Sequence, residues 1–190
     1  MFYYKGVTRQ ARKALRLAEQ LAMKENQARM GSEYLLAGLL LTEGGVAAKV
    51  LEQLSVKRDD ILAMIHEIGL PKSPEEKTAE EFLTPESQDI IDEAYAVAER
   101  FDSGDMGTEH LLFSIIEHRT STAARLLIAL NVNFAKVYTE ILTAMGKENM
   151  YSREESKQFR TGKRAESGKN TLIDTYTTDL TARAADGELD

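Results

Sequence analysis

Two acids are placed by their surroundings to do chemistry. Met30-Gly31-Ser32-Glu33-Tyr34-Leu35-Leu36 returns 76 positions on as Met106-Gly107-Thr108-Glu109-His110-Leu111-Leu112. Glu33 and Glu109 each follow a Gly-Ser or Gly-Thr pair that reads as a helix cap, which sets them in the first turn. Two readings stay open at this point. An acid in a first turn is stabilised by the helix dipole by ~0.3–1 kcal/mol with no ligand involved. Alternatively, the two acids are equivalent surface-facing carboxylates, a twofold-related pair of sites for a guanidinium. Helix starts at Thr8 and Thr84 would then offer free amides suited to an anion nearby.

Other chemistries find no support. The three histidines, His66, His110 and His118, form no H-E-x-x-H and no Glu-x-x-His pair. Gly162-Lys163 is followed by Arg164 and lacks the upstream glycine of a phosphate loop. There is no cysteine, so thiolate metal sites and disulfides are excluded. The chain therefore reads as having no catalytic residues and no metal site. His110 stands where the first copy has Tyr34, a position suited to packing or hydrogen bonding between helices. Phe2, Tyr3 and Tyr4 either staple the first helix to the body or form an exposed aromatic patch.

The elements that must hold these acids follow from the same repetition. The offset also carries Thr8 onto Thr84, Ala47-Ala48 onto Ala123-Ala124 and Leu54-Ser55-Val56 onto Leu130-Asn131-Val132, which marks two copies of one folding unit. Apolar residues recur at helical spacing in each. Thr8 opens a stripe through Ala11, Ala14, Leu15, Ala18 and Leu21. Ser32 caps a second helix through Leu35, Leu36, Leu39 and Leu40. Gly44-Gly45 precede a third, with Val46, Ala47, Val50 and Leu51, and Ile61, Leu62, Ile65 and Ile68 make a fourth. The second copy repeats the order, with Thr84-Pro85 as its start signal, Thr108 as the cap of its second helix, and Val137, Ile141 and Leu142 in its last. Period-two alternation is absent, so the expected fold is all-α: two tandem four-helix repeats related by a pseudo-twofold.

Boundaries follow from composition. Residues 1–70 and 83–146 form the repeats, and 71–82 a charged linker containing proline. Residues 147–170 carry too few apolar side chains to order themselves and read as a flexible tether; 171–190 regain some. The apolar fraction of 43% is ordinary, no run approaches the ~20 residues of a membrane span, and the N-terminus lacks a signal-peptide core. With 24 basic and 31 acidic residues the net charge is −7, which disfavours nucleic acid and anionic membranes and suits a basic or arginine-bearing ligand.

The duplicated G-[ST]-E-[HY]-L-L, followed in the first copy by Gly44-Gly45-Val46-Ala47-Ala48-Lys49-Val50-Leu51, resembles the Clp repeat. That is the N-terminal domain of Hsp100/Clp AAA+ unfoldases, and the phrasing is most similar to the ClpC branch. Thr171-Leu172, Asp179-Leu180-Thr181 and Gly187-Glu188-Leu189-Asp190 look like the approach to a first ATPase module, so that 171–190 would be its beginning.

The resemblance implies a cytoplasmic, non-catalytic domain, monomeric in isolation, that docks adaptor proteins and tagged or misfolded clients. A ring using ATP and Mg, supplied by the rest of the protein, would then feed a ClpP-type protease in protein quality control and the stress response. It also implies phosphoarginine binding by Glu33 and Glu109, with Thr8 and Thr84 at the repeat starts nearby. Where the family commonly carries arginine, this chain has Gln10 in one copy and Glu86 in the other. With each taken to neighbour the glutamate of its own copy, Glu86 would repel a phosphate at the second site and leave Glu33 dominant. Two alternatives remain: the same domain in a ClpB-like disaggregase, or a free-standing Clp-repeat enzyme or sensor that takes a small ligand between its copies.

Overall fold

Residues 4–68 and 82–146 are described in the computed structural model. Among them are eight α-helices and no strand: α1 (Arg9–Lys24), α2 (Ser32–Leu40), α3 (Val46–Gln53), α4 (Arg58–Ile68), α5 (Pro85–Arg100), α6 (Thr108–Glu117), α7 (Thr122–Ala129) and α8 (Phe134–Ala144). The 76-residue offset carries the bounds of α1, α3 and α4 onto α5, α7 and α8, and the start of α2 onto that of α6. It also carries the left-handed residues that end helices. Asn26 and Asp102, both at φ 52, follow α1 and α5, while Ser55 and Asn131 follow α3 and α7. Asn and Asp accept that conformation at little cost, so the duplication extends to the turns.

Caps at the repeat starts are as the sequence reads. Thr8 Oγ1 accepts the Ala11 N–H at 3.1 Å, and Thr84 Oγ1 accepts the Ser87 N–H at 3.1 Å with Pro85 at the first helical position.

The described residues fall into two units, divided after Asn133. At the centre of the first unit lie α2 and α6. All residues from Ser32 to Leu39 are buried, as are all from Thr108 to Ile116 except Glu109; a helix apolar on every side belongs in the middle of a core. α2 packs along α1 and α6 along α5, and contacts then cross between the copies, α2 against α7 and α3 against α6. One pair of matched positions shows how tightly the first two helices of each copy fit. A Cβ on Gly38 would collide with the Ala14 carbonyl of α1, so α2 needs glycine there. At the equivalent place on α6, Ser114 instead donates its hydroxyl to the Ile90 carbonyl at 2.7 Å. α8, in the second unit, carries buried Phe134, Val137, Ile141 and Leu142 at helical spacing.

The fourth stripe of the first copy is narrower than its sequence suggests: Ile61 and Ile65 are buried, whereas Ile68 is 43% exposed. Tyr4 is half-buried and its hydroxyl engages Glu19, which is the packing role. Phe2 and Tyr3, nearly all of the 71–82 linker, the tether at 147–170 and the expected beginning of an ATPase module at 171–190 lie outside the described residues.

Candidate functional site

Each repeated phrase sits beside the start of the other copy. Met30 and Leu83 form a one-residue parallel bridge, as do Met106 and Val7. The Thr84 N–H donates to the Met30 carbonyl at 3.1 Å and the Thr8 N–H to the Met106 carbonyl at 2.9 Å. Thr84 and Glu86 are therefore neighbours of Glu33, and Thr8 and Gln10 lie on the side of Glu109. This corrects the expectation that Glu86 weakens the second site. The acid stands in the first, because the copies are interleaved and each helix start is received by its partner's phrase.

The exchange explains the phrase letter by letter. The glycine comes first because it is the cap, and because a Cβ on Gly31 would collide with the Glu33 carboxylate folded back over it. Gly107 is held open by Glu109 in the same way. The next residue was expected to cap the helix with its own hydroxyl. Instead Gly31 and Gly107 are the caps, without side-chain bonds, and both hydroxyls reach across to the other copy. Ser32 Oγ accepts the Ala123 N–H of α7 at 3.0 Å. Thr108 Oγ1 accepts the Ala47 N–H of α3 at 3.3 Å. These are matched bonds, since Ala47 and Ala123 are one offset apart. Their role is invisible in a sequence because a hydroxyl before a helix caps it far more often than it bonds another helix. The leucines that follow are core.

The two acids part company in their surroundings. Glu33 is 3% exposed rather than surface-facing. Burial first, and the Glu86 charge second, push its carboxyl up to about 7, against the pull of its own backbone N–H. Glu86 accepts the Ser32 hydroxyl at 2.5 Å and the Thr122 N–H at 3.2 Å, both on Oε1, so this acid is bound into the start of α7. A cleft of about 340 Å³ opens here, lined by Gln27, Arg29, Glu33, Thr84, Glu86 and Thr122 among others.

Glu109 keeps 18% of its side chain exposed. Its neighbour is His110, whose Nδ1 accepts the Gly107 N–H at 2.7 Å and lies 3.9 Å from Glu109 Oε1. His110 thereby takes the part that a third-position Glu or Gln plays in a capping box. That bond requires an unprotonated Nδ1, which fits a ring whose pKa is lowered by burial, the Glu109 charge acting in opposition. Nε2 is buried and meets no acceptor. Gln10 and the Gly44-Gly45 turn lie close together, as do Thr108 and Gly45, so the start of α3 has an amide side chain where α7 has a carboxylate. Among the described residues, no three His, Asp or Glu side chains are placed to hold a metal.

The structure thus brings Glu33 together with Thr84, and sets Thr8 beside the phrase that carries Glu109. Sequence reasoning missed Ser32 and Thr108 as the cross-copy latch, Thr122 as the amide that holds Glu86 within the second copy, and Arg29 on the rim of the first cleft. No local signal marks them, because their partners lie 36 to 91 positions away.

Comparison with known proteins gives a consistent result. The model of the Clp repeat (R) N-terminal domain matches residues 6–81 and again 82–167. The ATP-dependent Clp protease ATP-binding subunit ClpC of Staphylococcus aureus (strain USA300) is 27% identical over 184 residues, 97% of this chain and 21% of that protein. The chain accordingly spans about a fifth of the length of the curated relatives it matches. Among solved structures, the Hsp104 N-terminal domain from Candida albicans superposes with a TM-score of 0.63 at 13% identity, covering 75% of this chain and 93% of that one. The ClpV N-domain in complex with a VipB peptide superposes with a TM-score of 0.57 at 16% identity, covering 74% and 86%.

Proposed function

The chain belongs to the Clp repeat N-terminal domain family, and from that premise we propose that it is the client- and adaptor-binding domain of a cytoplasmic ClpC-like unfoldase. In this reading the remainder of the protein supplies the ATPase ring, with its ATP and Mg, and the docking of a ClpP-type protease. Support for the ClpC assignment comes from the match to ClpC across 97% of the chain. That a domain of this fold can hold a peptide is known for the ClpV N-domain, solved with one.

The observation that carries the binding role is the interleaving. It sets each phrase acid, Glu33 in the lining of a cleft and Glu109 partly exposed, beside the helix start of the other copy, an arrangement that a single copy lacks. Deleting residues 1–146 from the whole protein should leave ATP hydrolysis in place and abolish client degradation with the protease partner. Undiminished degradation would refute the proposal.

For ligand chemistry, the Glu109 site is the better candidate for phosphoarginine. Glu109 would take the guanidinium. The phosphoryl group would lie toward Thr8, Gln10 and the start of α3, where Gln10 stands in the place that Glu86 takes in the first site. Titration of the chain with free phosphoarginine by calorimetry should show binding that Glu109→Ala weakens by roughly tenfold to a hundredfold, the scale of a lost charge-assisted pair. Glu33→Ala should leave that affinity within about twofold. Equal losses, or no binding to the parent chain, would dispose of this assignment.

A further inference from the structure

The cleft beside Glu33 carries a charge arrangement that its counterpart lacks. Two carboxylates line it, and Arg29, exposed on the rim, is the one basic residue among its lining. Neither acid is within ion-pair distance of Arg29 or of any other cation among the described residues. Glu33 in particular is a carboxyl group only 3% exposed, lining the cleft with its own amide as a hydrogen-bond partner and no cation against it among the described residues. A buried acid without a balancing cation is costly, and a ligand cation would remove that cost.

The other half of the cleft is closed to anions. The first three amides of α7 have all found acceptors within the chain: Thr122 N–H on Glu86, Ala123 N–H on Ser32 and Ala124 N–H on Ser121. A helix N-terminus is an anion site when its amides are free. Here the Glu86 carboxylate occupies it, and its negative charge faces whatever enters. We propose that this cleft binds an unmodified arginine side chain of a client segment, its guanidinium set between Glu33 and Glu86, and excludes the phosphorylated form. The planar five-donor fork of a guanidinium can bridge two carboxylates, whereas an ammonium is a point charge that satisfies them less fully. The inference rests on the client-binding reading and gives its two sites opposite preferences, one for arginine and one for phosphoarginine.

The test is an amide-resolved NMR titration of the chain with N-acetyl-arginine amide, N-acetyl-lysine amide and free phosphoarginine. Arginine amide should shift Gly31, Glu33 and Thr122 and leave Gly107 unmoved, lysine amide should bind at least fivefold more weakly, and phosphoarginine should leave the first set unmoved. Glu86→Gln retains an oxygen for Ser32 and Thr122, so the helix start survives; it should weaken arginine amide at least tenfold. Glu33→Gln, which keeps the side-chain shape, should do the same independently. Phosphoarginine shifts at Gly31 and Glu33 as large as those from arginine amide would overturn the inference, as would equal affinity for lysine amide or no shift from arginine amide. If arginine amide fails while the chain still captures an unfolded client protein, only this inference falls; if client capture fails as well, the client-binding reading falls with it.

Discussion

The Glu33 and Glu109 sites share a backbone almost residue for residue and differ in what their partner copy brings. Both have a capping glycine kept open by a folded-back carboxylate, and both have a hydroxyl bonded to the third helix of the other copy. Into the first the opposite copy inserts Glu86, and into the second Gln10. Burial then amplifies the difference: Glu33 is almost wholly withdrawn from water at the wall of its cleft and its proton is held more tightly, while Glu109 stays partly in water beside a histidine that resists protonation. The lesson is that a duplicated domain specialises through the contacts between its copies. The phrase itself need not change when the helix start facing it does.

The largest expected effect tests that charge contrast through stability. Glu33 has an ordinary value of 4.5 that folding raises to about 7. The folded state therefore holds a proton that the unfolded state has released, and stability falls as pH rises from about 4.5 to about 7. The span corresponds to about 3 kcal/mol. Glu33→Gln removes this dependence. Denaturant unfolding should find the variant equal to the parent near pH 4.5 and more stable by up to about 3 kcal/mol at pH 8, and an unchanged difference across that range would show that Glu33 is not strained. His110 acts in the opposite sense, since its lowered pKa costs stability as pH falls below its ordinary value of 6.5. Because both proteins keep His110, its contribution cancels in the difference.

The fold was legible where periodicity and turn chemistry are local. Helical spacing of Leu35, Leu36 and Leu39, the Thr84-Pro85 start and the constant offset suffice to place helices and pair them as copies. The two phrase acids were legible as candidates for the same reason. Their environments were not. A repeat can pack each helix start against its own phrase or against the other one, and the local sequence is the same either way. Only the bridges Met30–Leu83 and Val7–Met106 decide it, and they join residues 53 and 99 positions apart. Glu86 shows the consequence. Read along the chain it is a first-turn acid complementing the dipole of α5, while in space its carboxylate is spent on α7.

The smallest effect concerns the histidine that distinguishes the second phrase from the first, and it asks whether the two copies can be made alike there. Tyr34 and His110 are matched and both are buried to about 1% exposure, but only the imidazole offers an acceptor to the Gly107 N–H. His110→Tyr installs the first copy's residue and removes that acceptor, at a cost of about 1 kcal/mol for one net hydrogen bond at pH 8. The larger ring must also fit around a nitrogen position that now meets no partner, so the hydroxyl has to find one or the loss deepens. The pH profile separates the two contributions. Loss of the bond lowers stability where the parent's ring is neutral, whereas loss of the titrating group spares the variant the parent's decline in acid. The gap between parent and variant should therefore narrow as pH falls below 6.5. A gap that is constant with pH would mean that His110 fills space and does not cap α6.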